Sequence, residues 1–171
     1  WKTAMEIKRM NDKQEEEFMN LTQELYQEME EKDRYCPFND EFISILNPEN
    51  HFMVGAYENG ELMGGFSIYF PMEEDSYSNY LDTKVPIDTV AQMDNCAVAK
   101  KYRGRNLQEK LCKSCEQILR EEYPERVNLL CTVHPDNPAS LKNMETCGFQ
   151  VVKEVENMYH GNPRYILRKN L

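Results

Sequence analysis

Apolar and polar positions along the chain change period several times, and each change marks an element. Residues 5–10 alternate, which predicts a short first strand. Asn11 follows as a helix N-cap, with Gln14 three residues on as in a capping box. Glu15, Glu16 and Glu17 fall in the first turns, where the helix dipole favours acids. Phe18, Leu21, Leu25 and Met29 then recur at helical spacing, so this helix is amphipathic with an acidic outer face. A shorter helix is expected over residues 40–46, stopped before Pro48. Residues 51–57 and 61–70 are strand-like runs around Glu58-Asn59-Gly60, a strong hairpin signal. Residues 71–86 are acidic and polar and read as a loop, and 89–98 as another strand. Leu107, Leu111, Cys115, Ile118 and Leu119 form a second helical stripe, ending near Tyr123-Pro124. Residues 127–133 are almost continuously apolar, as in a buried strand. A short helix over 138–146 closes at Gly148, and 149–155 and 164–168 are the last two strands. The order is strand, two helices, hairpin, strand, helix, strand, helix, strand, strand. It predicts one α/β domain with a mixed sheet, the hairpin forming its antiparallel part.

Composition narrows the function. The chain has 171 residues and is 40% hydrophobic, enough for one domain with a real core. Its net charge of −10 argues against general nucleic-acid binding. The charge is unevenly divided. Residues 1–99 carry 7 Lys/Arg against 21 Asp/Glu, a net of −14, and residues 100–171 carry 13 against 9, a net of +4. No apolar run approaches the ~18 residues of a membrane span. The opening Trp1-Lys2-Thr3-Ala4-Met5-Glu6 shows neither a signal core nor a transit-like segment, so a cytoplasmic protein is expected. Cys36, Cys96, Cys112, Cys115, Cys131 and Cys147 then read as reduced thiols. Cys112-Lys113-Ser114-Cys115 has the spacing of a redox or metal pair, but no second pair completes a zinc site. Two small apolar residues on a helix explain it as well, and no metal is expected.

The richest chemistry lies at Lys100-Lys101-Tyr102-Arg103-Gly104-Arg105-Asn106. Four cations and a glycine stand between an expected strand and an expected helix. Such a turn points backbone N–H groups outward, and the helix N-terminus adds its dipole, so the place suits a phosphate. A solvated basic turn is the plainer alternative. Neither the Walker pattern nor the dinucleotide fingerprint is present.

From Lys101 to Asn106 the turn resembles the acetyl-CoA signature of the GCN5-related N-acetyltransferases, the GNAT superfamily, in which [Q/R]-x-x-G-x-[G/A] follows strand four. Lys101 and Asn106 depart from that pattern. A second stretch, from Asn137-Pro138-Ala139-Ser140 to Gly148-Phe149, resembles the family's N-x-x-[A/S]…G-F segment after strand five. The resemblance covers essentially the whole chain. It implies a mostly antiparallel twisted sheet flanked by helices, with strands four and five splayed apart. It also implies acetyl-CoA as acyl donor and an amine acceptor; a monomer or homodimer that binds neither nucleic acid nor membrane is expected.

The resemblance further assigns roles. Pantetheine would lie along Cys96, Ala97 and Val98, where a backbone N–H would serve as oxyanion donor. Arg103, Gly104, Arg105, Asn106, Leu107 and Gln108 would hold the pyrophosphate. Asn137 would reach the pantetheine arm, with Ser140 on the helix packed beside it. Asp94 is a candidate base, because strand alternation puts it on the face of Cys96 and Val98 unless a bulge intervenes. His134 is the other, at the end of the next strand. Some members carry a Glu on strand five, where this chain has Thr132. Many place an acidic Tyr where this chain has Met144, which has no proton to give; water or Tyr159 could assist the leaving thiolate. The family's early helices and third-to-fourth strand region line the acceptor side, and here that half is acidic, including Glu73-Glu74-Asp75. A cationic small amine or peptide amine is therefore expected. The alternatives are an acyl-CoA-binding module without transfer, and a thiol-redox protein using Cys112 and Cys115.

Overall fold

The computed structural model describes residues 4–159 and 161–171; Trp1-Lys2-Thr3, where the leader reading began, lies outside the described residues. The first strand, β1 (Glu6–Arg9), leads directly into helix α1 (Asp12–Glu28). The capping box forms: Asn11 Oδ1 accepts from Gln14 N at 2.9 Å, and Gln14 Oε1 accepts from Asn11 N at 3.0 Å. After an irregular stretch, Asn39 caps the short helix α2 (Asp40–Ile45). Strands β2 (His51–Glu58) and β3 (Glu61–Tyr69) form the hairpin. Asn59 and Gly60 both take positive φ, 54° and 76°, the backbone that matches a two-residue turn to the twist of its strands. Strand β4 (Val90–Val98), helix α3 (Leu107–Glu122), strand β5 (Asn128–Val133) and helix α4 (Pro138–Thr146) follow, then a final hairpin of β6 (Gln150–Tyr159) and β7 (Asn162–Asn170). That hairpin is longer at both strands than the pattern at 149–155 and 164–168 suggested, with Tyr159 pairing with Asn162 at its tip.

Among the described residues, one seven-stranded sheet runs in the order β1-β2-β3-β4-β5-β7-β6. Neighbours pair antiparallel except β4 and β5, which run parallel. Adjacent residues of β2 show how the two faces are used. Val54 faces the cluster built by Leu111, Cys115 and Leu119 of α3, while Met53 faces the cluster built by Phe18 of α1 and Phe38 before α2. The sheet is therefore covered on both sides, as a core of this size requires.

Segment 71–86 is irregular, as expected, but it is not merely a solvated loop. Ser76, Tyr77 and Ser78 are buried within short 3-10 turns. Their polar groups are satisfied internally. The two serine hydroxyls lie 2.7 Å apart, and Tyr77 N donates to Gln92 Oε1 at 2.7 Å. Polar composition and burial are compatible once each donor has its acceptor.

The parallel pair β4–β5 decides where a site can form. Its register holds at Val90–Asn128, Ala91–Leu129 and Gln92–Leu130, and then ends. Cys131, Thr132 and Val133 keep their pairing with β7 and leave β4 behind. On the other edge of β4, Ser67 pairs with Asn95 but Ile68 pairs with Met93, so Asp94 is the extra residue of a bulge. A bulge bends and twists its strand. It falls where the two strands part, and the sheet opens between them.

Candidate functional site

Two cavities meet in that opening. The larger, about 750 Å³, runs from the C-terminal end of α1, at Leu25 and Met29, past β4 to the start of α3 and the outer side of α4. The smaller, about 120 Å³, lies in the splay itself. Tyr35, Cys96, Gln108, Asn137 and Ser140 line both, so the two are continuous.

The turn before α3 builds one end of the larger cavity. Gly104 has φ 83° and Asn106 φ 56°, and Asn106 makes no side-chain cap to the helix. The first amide of α3 to reach a carbonyl is that of Lys110, which bonds Asn106 O at 3.2 Å. Among the described residues, the amides from Gly104 to Glu109 have no acceptor. A Cβ on Gly104 would find open space, so a ligand can approach the backbone there. Unpaired amides at a helix N-terminus suit a phosphate.

The four cations of this turn behave differently from one another. Lys100 pairs with Glu28 at 2.8 Å, Lys101 with Glu61 at 2.6 Å and Arg105 with Glu58 at 3.3 Å. Arg105 also stacks on Tyr102 and does not line the cavity, unlike the other turn residues expected to bind. Arg103 does line it, as does Lys142 of α4. The acidic first part of the chain thus supplies counter-charges to the basic turn.

Sheet pairing sorts the backbone groups of β4. Ala99 N donates to Met63 O at 2.8 Å, and Ala97 stands opposite Gly65. By the alternation of an antiparallel ladder, the amides of Cys96 and Val98 point the other way, into the splay. Asn137 Oδ1 accepts from Ser140 N at 3.2 Å and caps α4. Its Nδ2 is left for the cavity. Gln108 ties α3 to α4: its Oε1 accepts from Asn143 Nδ2 at 2.9 Å, and its Nε2 donates to Met144 Sδ at 3.3 Å. Met144 is therefore a packed wall of the small cavity.

Asp94 and His134 line the small cavity with Cys96 and Thr132. Despite the bulge, Asp94, Cys96 and Val98 share one half-buried row, flanked by the buried Met93, Asn95 and Ala97. Tyr77 donates to Asp94 Oδ1 at 3.0 Å, and Tyr159 donates to the Tyr77 oxygen at 2.9 Å. Burial pushes the Asp94 carboxyl up to about 6; the Tyr77 hydroxyl opposes that shift and Asp75 adds to it. Burial holds both tyrosine hydroxyls above their ordinary value, so they stay protonated donors.

His134 is buried, and its Nδ1 accepts from Asp136 N at 3.0 Å. The proton of the neutral ring then sits on Nε2, and burial with the nearby Arg164 charge lowers its basicity. With the Nδ1 lone pair used, the neutral ring carries an Nε2–H donor.

Several side chains here carried no sequence signal. Tyr35 donates to Asn95 Oδ1, and Asn95 Nδ2 donates to Cys36 O at 3.0 Å, which pins the segment before α2 over β4. Arg34 and Arg164 reach the small cavity from other segments, and Tyr77 reaches Asp94 through its hydroxyl. The cysteine pair does not form a reactive site. Cys112 and Cys115 are 1% and 0% exposed, and both thiols are pushed up, Cys112 chiefly by its contact with Cys147 and Cys115 by burial. A redox pair needs accessible thiolate. Among the described residues no helix is long and apolar enough to cross a membrane.

Comparison with known proteins agrees with this geometry. An acetyltransferase of the GNAT family from Streptococcus pneumoniae superposes with a TM-score of 0.73 at 14% identity, covering 98% of this chain and 99% of that one. The Arabidopsis thaliana NAA60 structure, in complex with a bisubstrate analogue, gives 0.74 at 14% identity, covering 98% and 99%. The yncA protein of Salmonella typhimurium, solved with acetyl-CoA, gives 0.74 at 12% identity, covering 99% and 95%. A search of curated proteins returns no match. At these identities the likeness shows the fold. The sequence itself adds the family: residues 11–149 match the acetyltransferase (GNAT) family profile, and the chain belongs to that family.

Proposed function

We propose that the protein transfers the acetyl group of acetyl-CoA to a primary amine, directly, with both bound at once. The observation that carries this reading is the continuity of the two cavities across Cys96 and Asn137, with Asp94 in the smaller one. The unpaired amides from Gly104 to Glu109, the open approach over Gly104 and the Arg103 and Lys142 side chains fit a pyrophosphate. The larger cavity, about 750 Å³, would hold the rest of the CoA. When bound, acetyl-CoA supplies a thioester whose carbonyl carbon accepts the amine nitrogen and whose sulfur departs. The Cys96 and Val98 amides and Asn137 Nδ2 face that carbonyl's side of the splay as hydrogen-bond donors. Asp94 takes the proton of the attacking amine. Its second oxygen has no protein donor among the described residues, and a carboxyl near 6 is ionised at neutral pH yet basic enough to serve. His134 acts as an Nε2–H donor, and Tyr159 and Tyr77 hold Asp94 in place. Proton supply to the leaving sulfur falls to water or Tyr35, which borders both cavities.

The expected acidic acceptor side is not found in the lining. Glu73 pairs with Lys84 at 3.0 Å, and Asp75 accepts from Tyr69 and from Met72 N. Asp94 is the acid that borders the small cavity. Replacing Asp94→Asn is expected to lower kcat/KM about 10²-fold or more in an amine-dependent CoA-release assay. Unchanged turnover would remove Asp94 from the mechanism. The competing reading, an acyl-CoA binder without transfer, draws on Met144, whose sulfur donates nothing. Binding of acetyl-CoA with no CoA release on any amine would favour it.

A further inference from the structure

The small cavity holds a charge that the transfer reading leaves unused. Arg164 of β7 is 3% exposed and lines the cavity together with Asp94. Its guanidinium is fixed from behind. Nη1 donates to Pro163 O at 2.8 Å, Nη2 donates to Asp33 O at 2.7 Å and approaches Cys36 Sγ at 3.6 Å, and the group lies 5.1 Å from the Tyr159 ring. These partners are carbonyls, a thiol and a π face. Among the described residues none is a carboxylate within ion-pair distance, and Nε has no acceptor. A buried cation left without a counter-charge is costly. Lys169 by contrast has Glu116 at 2.5 Å, and Arg34, in the same cavity, has Glu31, whereas the partly buried Arg126 also bonds only carbonyls. Asp94 is turned to Tyr77 instead.

The cavity therefore offers one acceptor, Asp94, and two anion-seeking donors, Arg164 and the Nε2–H of His134. At about 120 Å³ it is the smaller of the two continuous cavities, and both kinds of group border it. We infer that the acceptor is an amine that also carries a carboxylate, an amino-acid-like zwitterion, with its amine at Asp94 and its carboxylate on Arg164. This rests on the amine-transfer reading and replaces the simple cation with a zwitterion. Arg164 is then a specificity-determining residue, and the acceptor completes its charge.

The test compares α-, β- and ω-amino acids, each beside its own primary amide, by CoA release from acetyl-CoA. The best acid is expected to exceed its amide by about 10- to 100-fold in kcat/KM, the difference between a charged and a neutral hydrogen-bond partner. Arg164→Gln is expected to bring that ratio close to one, and Arg164→Lys to restore part of it. Should Arg164→Gln fail to fold, the wild-type acid-to-amide ratio still decides. Amides or simple amines acetylated as well as the acids would overturn this inference and leave the transfer reading standing. No release with any amine, while acetyl-CoA still raises Tm, would overturn the transfer reading and this inference with it.

Discussion

Asp94 stands between opposing influences. Burial at the splay raises its carboxyl to about 6, and the Tyr77 hydroxyl at 3.0 Å favours the charged form. Activity that needs the carboxylate should fall as pH drops through about 6. Replacing Tyr77→Phe deletes the donor, so the acid limb of kcat/KM should move up by about one pH unit. A pH–rate profile reads this directly, against the background of Asp75, Tyr69 and Tyr35, which also face Asp94. An unmoved limb would separate Tyr77 from the base. Stability runs the other way from activity. A carboxyl raised on folding stabilises the fold at low pH and loses that contribution as pH rises through about 6. Asp94→Asn should therefore raise Tm near neutral pH while it lowers turnover. At this scale Asp94 was legible from strand alternation. Tyr77, Arg34 and Arg164 were not, because each sits in its own segment without a motif around it.

Among the elements, the turn before α3 matters most. Its glycine and asparagine both take left-handed backbone, with φ of 83° and 56°. Alanine at Gly104 would strain the backbone by about 1–2 kcal/mol and put a methyl in the open space over which the proposed phosphate would approach. The expected result for Gly104→Ala is a KM for acetyl-CoA raised about tenfold with kcat less affected, read by initial rates; an unchanged KM would place the phosphates elsewhere. Segment 71–86 shows the limit of pattern reading. Its acids mark it as a loop, yet its centre is buried because Gln92 and the paired serines satisfy its polar groups. The bulge at Asp94 was equally hidden, since one extra residue in a strand leaves no trace in composition.

For the whole molecule, the charge division near residue 99 dissolves in space. Glu28, Glu61 and Glu58 cross over to Lys100, Lys101 and Arg105. These exposed pairs add little stability each, but they leave Arg103 as the cation of that turn facing the large cavity. A ligand there would touch the end of α1, the edge of β4 and the starts of α3 and α4, which come from both sides of the sheet. Acetyl-CoA at about 100 times its Kd should add about 2.7 kcal/mol, a rise in Tm of roughly 5–10 °C for a chain of this size. Thermal melting with and without acetyl-CoA checks it; no shift would sink the cavity's assignment.

By itself the sequence determined the strands and helices, their order, the hairpin turn, the phosphate-suited turn and the family. These depend on local periodicity, turn stereochemistry and short motifs, all written in neighbouring residues. Tertiary structure alone decided where the sheet opens, which cations remain unpaired, that His134 Nδ1 accepts from Asp136 N, that Tyr77 bonds Asp94, and that Arg164 borders the same cavity as Asp94. Those outcomes depend on pairings between distant segments, and on which charges burial leaves without a partner. No window of sequence contains either.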